Sequence, residues 1–448
     1  MEINIGKLPE GQQDPQQLYI ESRVEEQAFS TYLPKSGFIH EYMEYTKIHE
    51  APGSFHFWSA MSVLSATVQR RSWLSKGIYR VYPNLYVVLV APSGRCRKTG
   101  CINVGVKLAS KLDYLNIIAD KTTPEALLEA LMDGNVQVED DEEDLLTPGM
   151  KPQTTGKTIS LDATGFIRST EMSTFLNKSN YTSGMVTLLT DLFDCPDDFK
   201  YVTRTRKPIV LENVFINMIA GTTPEWLATN LPESAFEGGF MSRVVWVVKH
   251  WKDRVIPLED EPDPLQMQKL VKMLNYIHTH HHGPMTFSPQ SKQWYIHWYT
   301  NNSMQASDSE KLSGFHERMP DTMLKIAMLL QAADKPGVME LELGYLKQAE
   351  KLLRWSMERM FRAFEATDLS RMGQLHRQLN TILDHYGELS QRDIMRKVAG
   401  RLDYKDQFDQ VRDIMIEAGE LIVTKEKPKG GGKGRPRIMW RRPLQSEL

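Results

Sequence analysis

The 448-residue chain is short of several things, and each shortage narrows what it can be. It has only three cysteines, Cys96, Cys101 and Cys195, with neither the pairing of a disulfide framework nor the spacing of a metal site, which suits a reducing compartment. No apolar run approaches the ~20 residues needed to cross a bilayer. No secretory signal is recognisable, so the reading is a soluble, cytoplasmic protein. Excess positive charge is also missing: 54 Lys+Arg against 57 Asp+Glu leave a net charge of −3. That excludes a uniformly basic nucleic-acid coat and confines any such binding to local patches. The length suffices for two or three domains with substantial cores.

What is present is organised around residues 82–105, YPNLYVVLVAPSGRCRKTGCINVG. Positions 84–90 form an apolar, β-branched run that predicts a buried parallel strand. Ala91-Pro92-Ser93-Gly94 predicts a tight turn, and Ile102, Val106, Leu108 and Leu112 after it keep helical spacing. Strand, Gly-containing turn, Lys-Thr and helix is the layout of a phosphate-binding P-loop. In such a loop the backbone of Ser93, Gly94, Arg95, Cys96 and Arg97 and the helix N-terminus hold the phosphates of ATP. Lys98 reaches the β/γ oxygens and the Thr99 hydroxyl binds Mg²⁺. The usual motif has Gly directly before the Lys, where this chain has Arg97. A non-Gly residue in left-handed geometry costs ~1–2 kcal/mol, so the loop is expected to depart from the usual conformation. Cys96 reads as a small tolerated residue, with redox sensitivity as the alternative.

Residues 1–34 are polar and aperiodic and predict a loosely held leader. Helical spacing over 37–75, broken at Pro52-Gly53, predicts two helices capping the core, so that 1–80 forms an N-terminal leader and helical cap. Residues 81–260 alternate strands with helices, which implies a parallel sheet covered on both faces. Within them 139–156, beginning EDDEED, reads as a flexible acidic insertion, and its Gly156-Lys157-Thr158 is a decoy with no strand before it. Residues 261–369 turn helical and predict an α-helical lid, in which the crowded His278, His280, His281 and His282 read as a loop rather than a metal site.

ATP hydrolysis needs a carboxylate at a strand end beside the P-loop strand, and Glu171 fits, following a strand and preceding a helix. It would activate water and assist Mg²⁺ through water, although an acid at a helix N-terminus can equally serve the dipole. The usual Asp-Glu pair is here Thr170-Glu171, leaving the Mg²⁺-binding Asp unfilled; Asp162 could substitute only if its strand is short. Thr222 is the candidate polar sensor, and Thr223, before Pro224-Glu225, the N-cap of a helix. Arg243, after Gly238-Gly239 and before a buried strand, is placed as an arginine that neutralises developing charge. Arg318 is a second arginine that could contact the nucleotide. The segment 198–210 predicts a basic hairpin with Lys200, Tyr201, Arg204, Arg206 and Lys207, suited to a sugar–phosphate backbone, or equally a charge-protected edge.

P-loop, acidic strand end, basic hairpin, Thr-tipped strand and G-G-F-M-S-R before an apolar strand resemble the order of an AAA+ ATPase, most nearly the minichromosome-maintenance type of ring helicase. YPNLYVVLVAPSG, TTPEALLEAL, TEMSTFL and GTTPEW also resemble phage- and prophage-encoded P-loop proteins of the primase-helicase group. The resemblance covers roughly residues 37–335. It implies a homo-hexameric ring in a bacterial or phage-infected cell, with Arg243 acting in trans on the neighbour's Lys98/Glu171 site and the 200–207 hairpin in a channel on single-stranded DNA.

Residues 370–448 predict a winged helix: a helix capped by Ser390, a second over 408–418, and a hairpin whose tip, KEKPKGGGKGRPR, carries Lys429, Lys433, Arg435 and Arg437 for DNA phosphates. The expectation is an α/β protein with an AAA+-like P-loop parallel-sheet core, lid, N-terminal helical segment and C-terminal winged helix. Its expected activity is that of an ATP-driven DNA helicase or translocase. The alternative is a DNA-binding initiator or helicase loader using ATP as an assembly switch.

Overall fold

Two apolar runs, Tyr86–Val90 and Val244–Val248, become strands in which every side chain is buried, the mark of a sheet covered on both faces. The computed structural model describes residues 15–133, 162–176, 184–202, 208–230, 239–303, 310–398, 405–426 and 437–443. In chain order the strands are β1 (Ser72–Lys76), β2 (Tyr79–Val81), β3 (Tyr86–Val90), β4 (Ile117–Ile118), β5 (Asp162–Ser169), β6 (Asp198–Tyr201) and β7 (Ile209–Thr222). They continue with β8 (Val244–Val248), β9 (Gly283–Phe287), β10 (Glu340–Leu341), β11 (Leu389–Ser390), β12 (Ile422–Glu426) and β13 (Arg437–Arg441). The protein is a mixed α/β chain. Its central sheet runs β4-β5-β7-β3-β8 with all these neighbours parallel, and β6 pairs antiparallel with the first half of β7.

This order corrects one expectation. The acidic strand β5 does not lie beside β3, because β7 is inserted between them. Register aligns Val90 with both Thr222 and Val248, and Ser169 with Ala220. The ends of β3, β5 and β7 therefore meet at one edge of the sheet. The expected basic hairpin is present as β6 and β7, closing with Tyr201 opposite Ile209.

The helix Gly53–Val68 is not a peripheral cap. Each residue from Ser54 to Val68 is buried, including its serines, so it lies inside the unit. Its hydroxyls are satisfied within the helix and beyond it: Ser62 Oγ donates to Trp58 O at 2.9 Å and Ser65 Oγ to Pro83 O at 2.6 Å. The leader also differs from expectation. Pro15–Ser30 is a helix whose Phe29 is fully buried, with ring centroids 5.5 Å from Phe57 and 4.6 Å from Trp355. Apolar periodicity missed it because its buried face also carries Ser22 and Glu26, satisfied by Trp251 O and by Ser54.

The residues after β8 are mostly helical, with helices Pro264–His280, Pro289–Ser303 and Glu310–Asp334, but they also supply strands. β9 and β10 join β1 and β2 in a second sheet of order β10-β9-β1-β2. His278 and His280 belong to the last turn of a helix rather than a loop, and His278 stacks on Tyr114 at 3.7 Å.

The chain divides into two compact units, Met1–Asn230 with Ser234–Phe361, and Leu231–Glu233 with Arg362–Leu448. In the second, helices Gln391–Val398 and Lys405–Glu417 accompany the antiparallel sheet β11-β13-β12. Its core gathers Leu379, Leu383, Ile394, Phe408, Met415 and Trp440, with Phe408 stacked on Trp440 at 4.9 Å. Ser390 caps its helix as expected, accepting from Asp393 N at 3.2 Å. Among the described residues no helix is long and apolar enough to cross a membrane.

Candidate functional site

Parallel sheets bind ligands outside the carboxyl ends of their strands, where loops and helix N-termini converge. Here that edge carries the turn after β3 and the helix Lys98–Ala109. Gly94 sits at φ 74°, and a side chain there would meet nothing within 4 Å, leaving its backbone open to an approaching group. Arg97 adopts φ 48°, ψ 36°, the left-handed conformation that the usual Gly would supply. Arg97 thus takes up the left-handed geometry although it is not glycine. A contact that offsets the ~1–2 kcal/mol of strain is visible: Arg97 Nε donates to Glu50 Oε2 at 2.9 Å, and Glu50, itself buried, also accepts from Lys252 Nζ at 2.9 Å.

Lys98 opens the helix and is 6% exposed, its Nζ donating to Ala91 O at 2.6 Å and Pro92 O at 3.3 Å. Burial lowers its pKa, while Glu171, Cys96 and Glu225 act in the opposite sense. Glu171 is exposed, with extended backbone between β5 and the short helix Met172–Phe175. Thr222 ends β7 at 1% exposure, and its carbonyl accepts from Ala91 N at 3.2 Å, tying β7 to the start of the loop. Thr223 caps the helix Pro224–Asn230, accepting from Trp226 N at 3.2 Å. Ser93, Arg95 and Thr99 are exposed around the loop, and Arg95 lies over the Trp251 ring at 4.2 Å. Cys96 points inward at 1% exposure, and burial pushes its thiol up to about 12, which leaves it an inert small residue.

The structure thus brings the loop residues, Lys98, Thr99, Glu171 and Thr222 to one edge. Glu225 and Glu50 were missed from sequence. The motif Thr223-Pro224-Glu225 held the signal for the first but read as capping alone. The second acts across 47 positions and left no local trace. Asp162 does not substitute for the missing Asp: it lies at the opposite, amino end of β5, accepting from Asn213 Nδ2 at 2.8 Å.

Arg243 and Arg318 meet elsewhere. Arg243 precedes β8, whose first residue pairs with Tyr86, so it stands at the amino edge of the sheet. Five residues of β3 at ~3.3 Å each separate it from the loop of its own chain. It is 8% exposed, donating to Gly239 O at 3.0 Å and pairing with Asp194 at 3.0 Å. Arg318, 37% exposed, lies 3.9 Å from the other oxygen of Asp194. Lys200 is exposed on β6, and Tyr201 Oη donates to Glu125 at 3.3 Å. Arg437 opens β13 and is exposed. Arg204, Arg206, Lys207, Lys429, Lys433, Arg435 and the 139–156 insertion lie outside the described residues.

Fold and site define a mixed α/β protein with a basic loop, a helix N-terminus and two acids at the carboxyl edge of a parallel sheet. No family model matches the chain, and no curated protein matches it significantly.

Proposed function

We propose that the chain is an ATP-hydrolysing motor that acts on single-stranded DNA as a ring, with an AAA+-like P-loop core, a helical lid after β8 and a winged-helix second unit. The observation that carries this reading is the carboxyl edge itself. Arg97 is held left-handed directly before Lys98, Glu171 stands one strand further out than Thr222, and Glu225 lies within electrostatic range of Lys98. With strands ~4.8 Å apart, inserting β7 leaves Glu171 about two strand spacings from the loop, room for a water between carboxylate and γ-phosphate. In this role Glu171 accepts a proton from that water as its oxygen bonds to the γ-phosphorus and the bond to the β–γ bridging oxygen breaks. Lys98 turns from the loop carbonyls to the phosphate oxygens, and the Gly94 backbone receives them.

Thr99, exposed on the first helical turn, would offer a hard oxygen ligand to Mg²⁺, with Glu171 and Glu225, whose charges act on Lys98, as the acids of the same edge. An ion held there would offset negative charge on the phosphates of the nucleotide. Arg243 and Arg318, gathered by Asp194 at the far edge, are suited to a neighbouring subunit's pocket and not to their own. The β6–β7 hairpin and the β12–β13 wing carry the DNA contacts of Lys200, Tyr201 and Arg437.

The direct test is nucleotide binding, turnover and self-association of Lys98→Ala and Glu171→Gln. Lys98→Ala loses binding. Glu171→Gln binds ATP but turns over about 10²-fold or more slower. If Lys98→Ala left nucleotide uptake and assembly untouched, the motor reading would be wrong. The position of Asp162 and the presence of Thr170 favour a second reading, nucleotide as an assembly switch for an initiator or loader. DNA-dependent assembly without turnover or strand displacement would establish it in place of the first.

A further inference from the structure

From Glu50 to Asp113 the chain contains no acidic residue, and the most exposed part of that stretch is the β1–β2 hairpin. Its turn has two residues, with Lys76 opposite Tyr79 and Gly77 at φ 68°, the sign a primed two-residue turn requires. A Cβ on Gly77 would meet nothing within 4 Å, and the next residue, Ile78, is fully exposed. An isoleucine at the outermost point of a polar hairpin contributes nothing to the core and has a solvation cost.

The hairpin's two faces are prepared differently. On one, the Lys76 ammonium sits 5.3, 5.9 and 5.8 Å from the ring centroids of Tyr79, Tyr295 and Tyr299, and pairs with Asp321 at 2.7 Å. The lysine fixes the rings, yet Tyr79 and Tyr299 remain 47% and 43% exposed. On the other face Arg80, exposed and without an ion pair among the described residues, lies over the Trp73 ring at 5.1 Å.

We propose that this hairpin is a contact for single-stranded nucleic acid, in which unstacked bases lie on Tyr79 and Tyr299, Ile78 wedges between bases and Arg80 takes a backbone phosphate. Half-exposed rings held by a cation, an apolar tip and an exposed guanidinium are the elements that stack and wedge bases without reading sequence. A protein partner would use the apolar tip but leaves Arg80 in an acid-free stretch without a role. The contact requires no nucleotide chemistry and goes beyond the motor reading.

The test uses the full chain without ATP and a fluorescein-labelled oligothymidylate. Because the three native cysteines are buried, Ile78→Cys accepts an environment-sensitive dye selectively at the tip. The dye's emission is expected to shift on adding the oligonucleotide, a local signal that DNA contacts elsewhere do not produce. Tyr79→Ala, made in that labelled background, weakens the response about tenfold, whereas Tyr79→Phe retains it. Arg80→Gln lowers the slope of log affinity against log salt by about 0.7. No dye response to the oligonucleotide, a response to protein concentration alone, or equal affinities for Tyr79→Ala and the parent would overturn the proposal. The first and third outcomes would remove nucleic acid as the ligand, and the second would identify the tip as a self-association surface. Since the assay contains no nucleotide, its result is independent of whether Lys98 and Glu171 support hydrolysis.

Discussion

Gly221 is a point where the candidate site is sensitive to a single methyl group. It lies one residue before Thr222 in β7, paired with Leu89 of β3. A Cβ built there would stand 2.7 Å from Thr170 O and 3.3 Å from Ile102 Cδ1. Thr170 immediately precedes Glu171, and Ile102 belongs to the helix that Lys98 opens. The added methyl therefore presses on both sides of the site. The isoleucine can give way; the carbonyl is backbone. Ordinary contact begins near ~3.4 Å, so relief requires about 0.7 Å of movement, against interiors that tolerate little. In an open strand the same substitution would stabilise by ~0.5–1 kcal/mol, because Gly loses more backbone freedom on folding. Overpacking of this kind costs ~1–3 kcal/mol. The net expectation for Gly221→Ala is a loss of ~0.5–2 kcal/mol, seen as a fall of a few degrees in thermal midpoint. A displacement approaching 1 Å at Glu171 would lower ATP turnover by about ten- to a hundredfold, with much less effect on nucleotide binding. Thermal unfolding and steady-state hydrolysis measure the two parts separately. A variant more stable than the parent, with turnover within twofold, would refute the placement of the acidic turn against β7.

Mixing two inactive variants, Arg243→Ala and Lys98→Ala, is expected to restore part of the ATPase if the arginine acts on a neighbour's pocket; no recovery at any ratio argues against action in trans. Glu50→Gln leaves Arg97 strained without its charged partner, and a loss of ~1 kcal/mol is expected in chemical denaturation, with a smaller loss when Arg97→Gly is already present, because only the Lys252 pair then remains to be broken. Lys325 is buried, donating to Asn84 Oδ1 at 2.6 Å with its ammonium 3.8 Å from the Phe193 ring, and burial pulls its pKa down to about 8. The unfolded lysine binds its proton up to ~10.4, so over pH 8–10 the unfolded state carries more protons and stability rises with pH. Below about 8 that contribution is lost. Lys325→Met is expected to flatten this rise in denaturant midpoint, and an unchanged slope would show that the lysine stays charged. Trp440→Ala should cost ~3–5 kcal/mol within the second unit, read as early loss of its own unfolding transition while that of the first unit persists.

What was legible in the sequence was local. The β-branched run of β3, the turn at Gly94, the helix after Lys98 and the caps at Thr223 and Ser390 each arise from neighbours a few positions apart, and each stands where those neighbours put it. The leader helix was not legible, since its buried face mixes Phe29 with Ser22 and Glu26, whose partners lie far along the chain. Nor was the conformation of Arg97: taken alone the residue argues against a left-handed turn, and Glu50 together with Lys252 opposes that preference across 47 and 202 positions. The amino-acid order determined by itself the strand, turn and helix of residues 86–109 and the caps at Thr223 and Ser390. Only the tertiary structure decided that β7 separates β3 from β5, that the charge of Glu225 acts on Lys98, and that Arg243 and Arg318 share Asp194 at the opposite edge. The physical reason is that periodicity and capping are short-range, whereas strand order and buried charge pairing are set by contacts between residues distant in the chain, whose energies exist only once the sheet has formed.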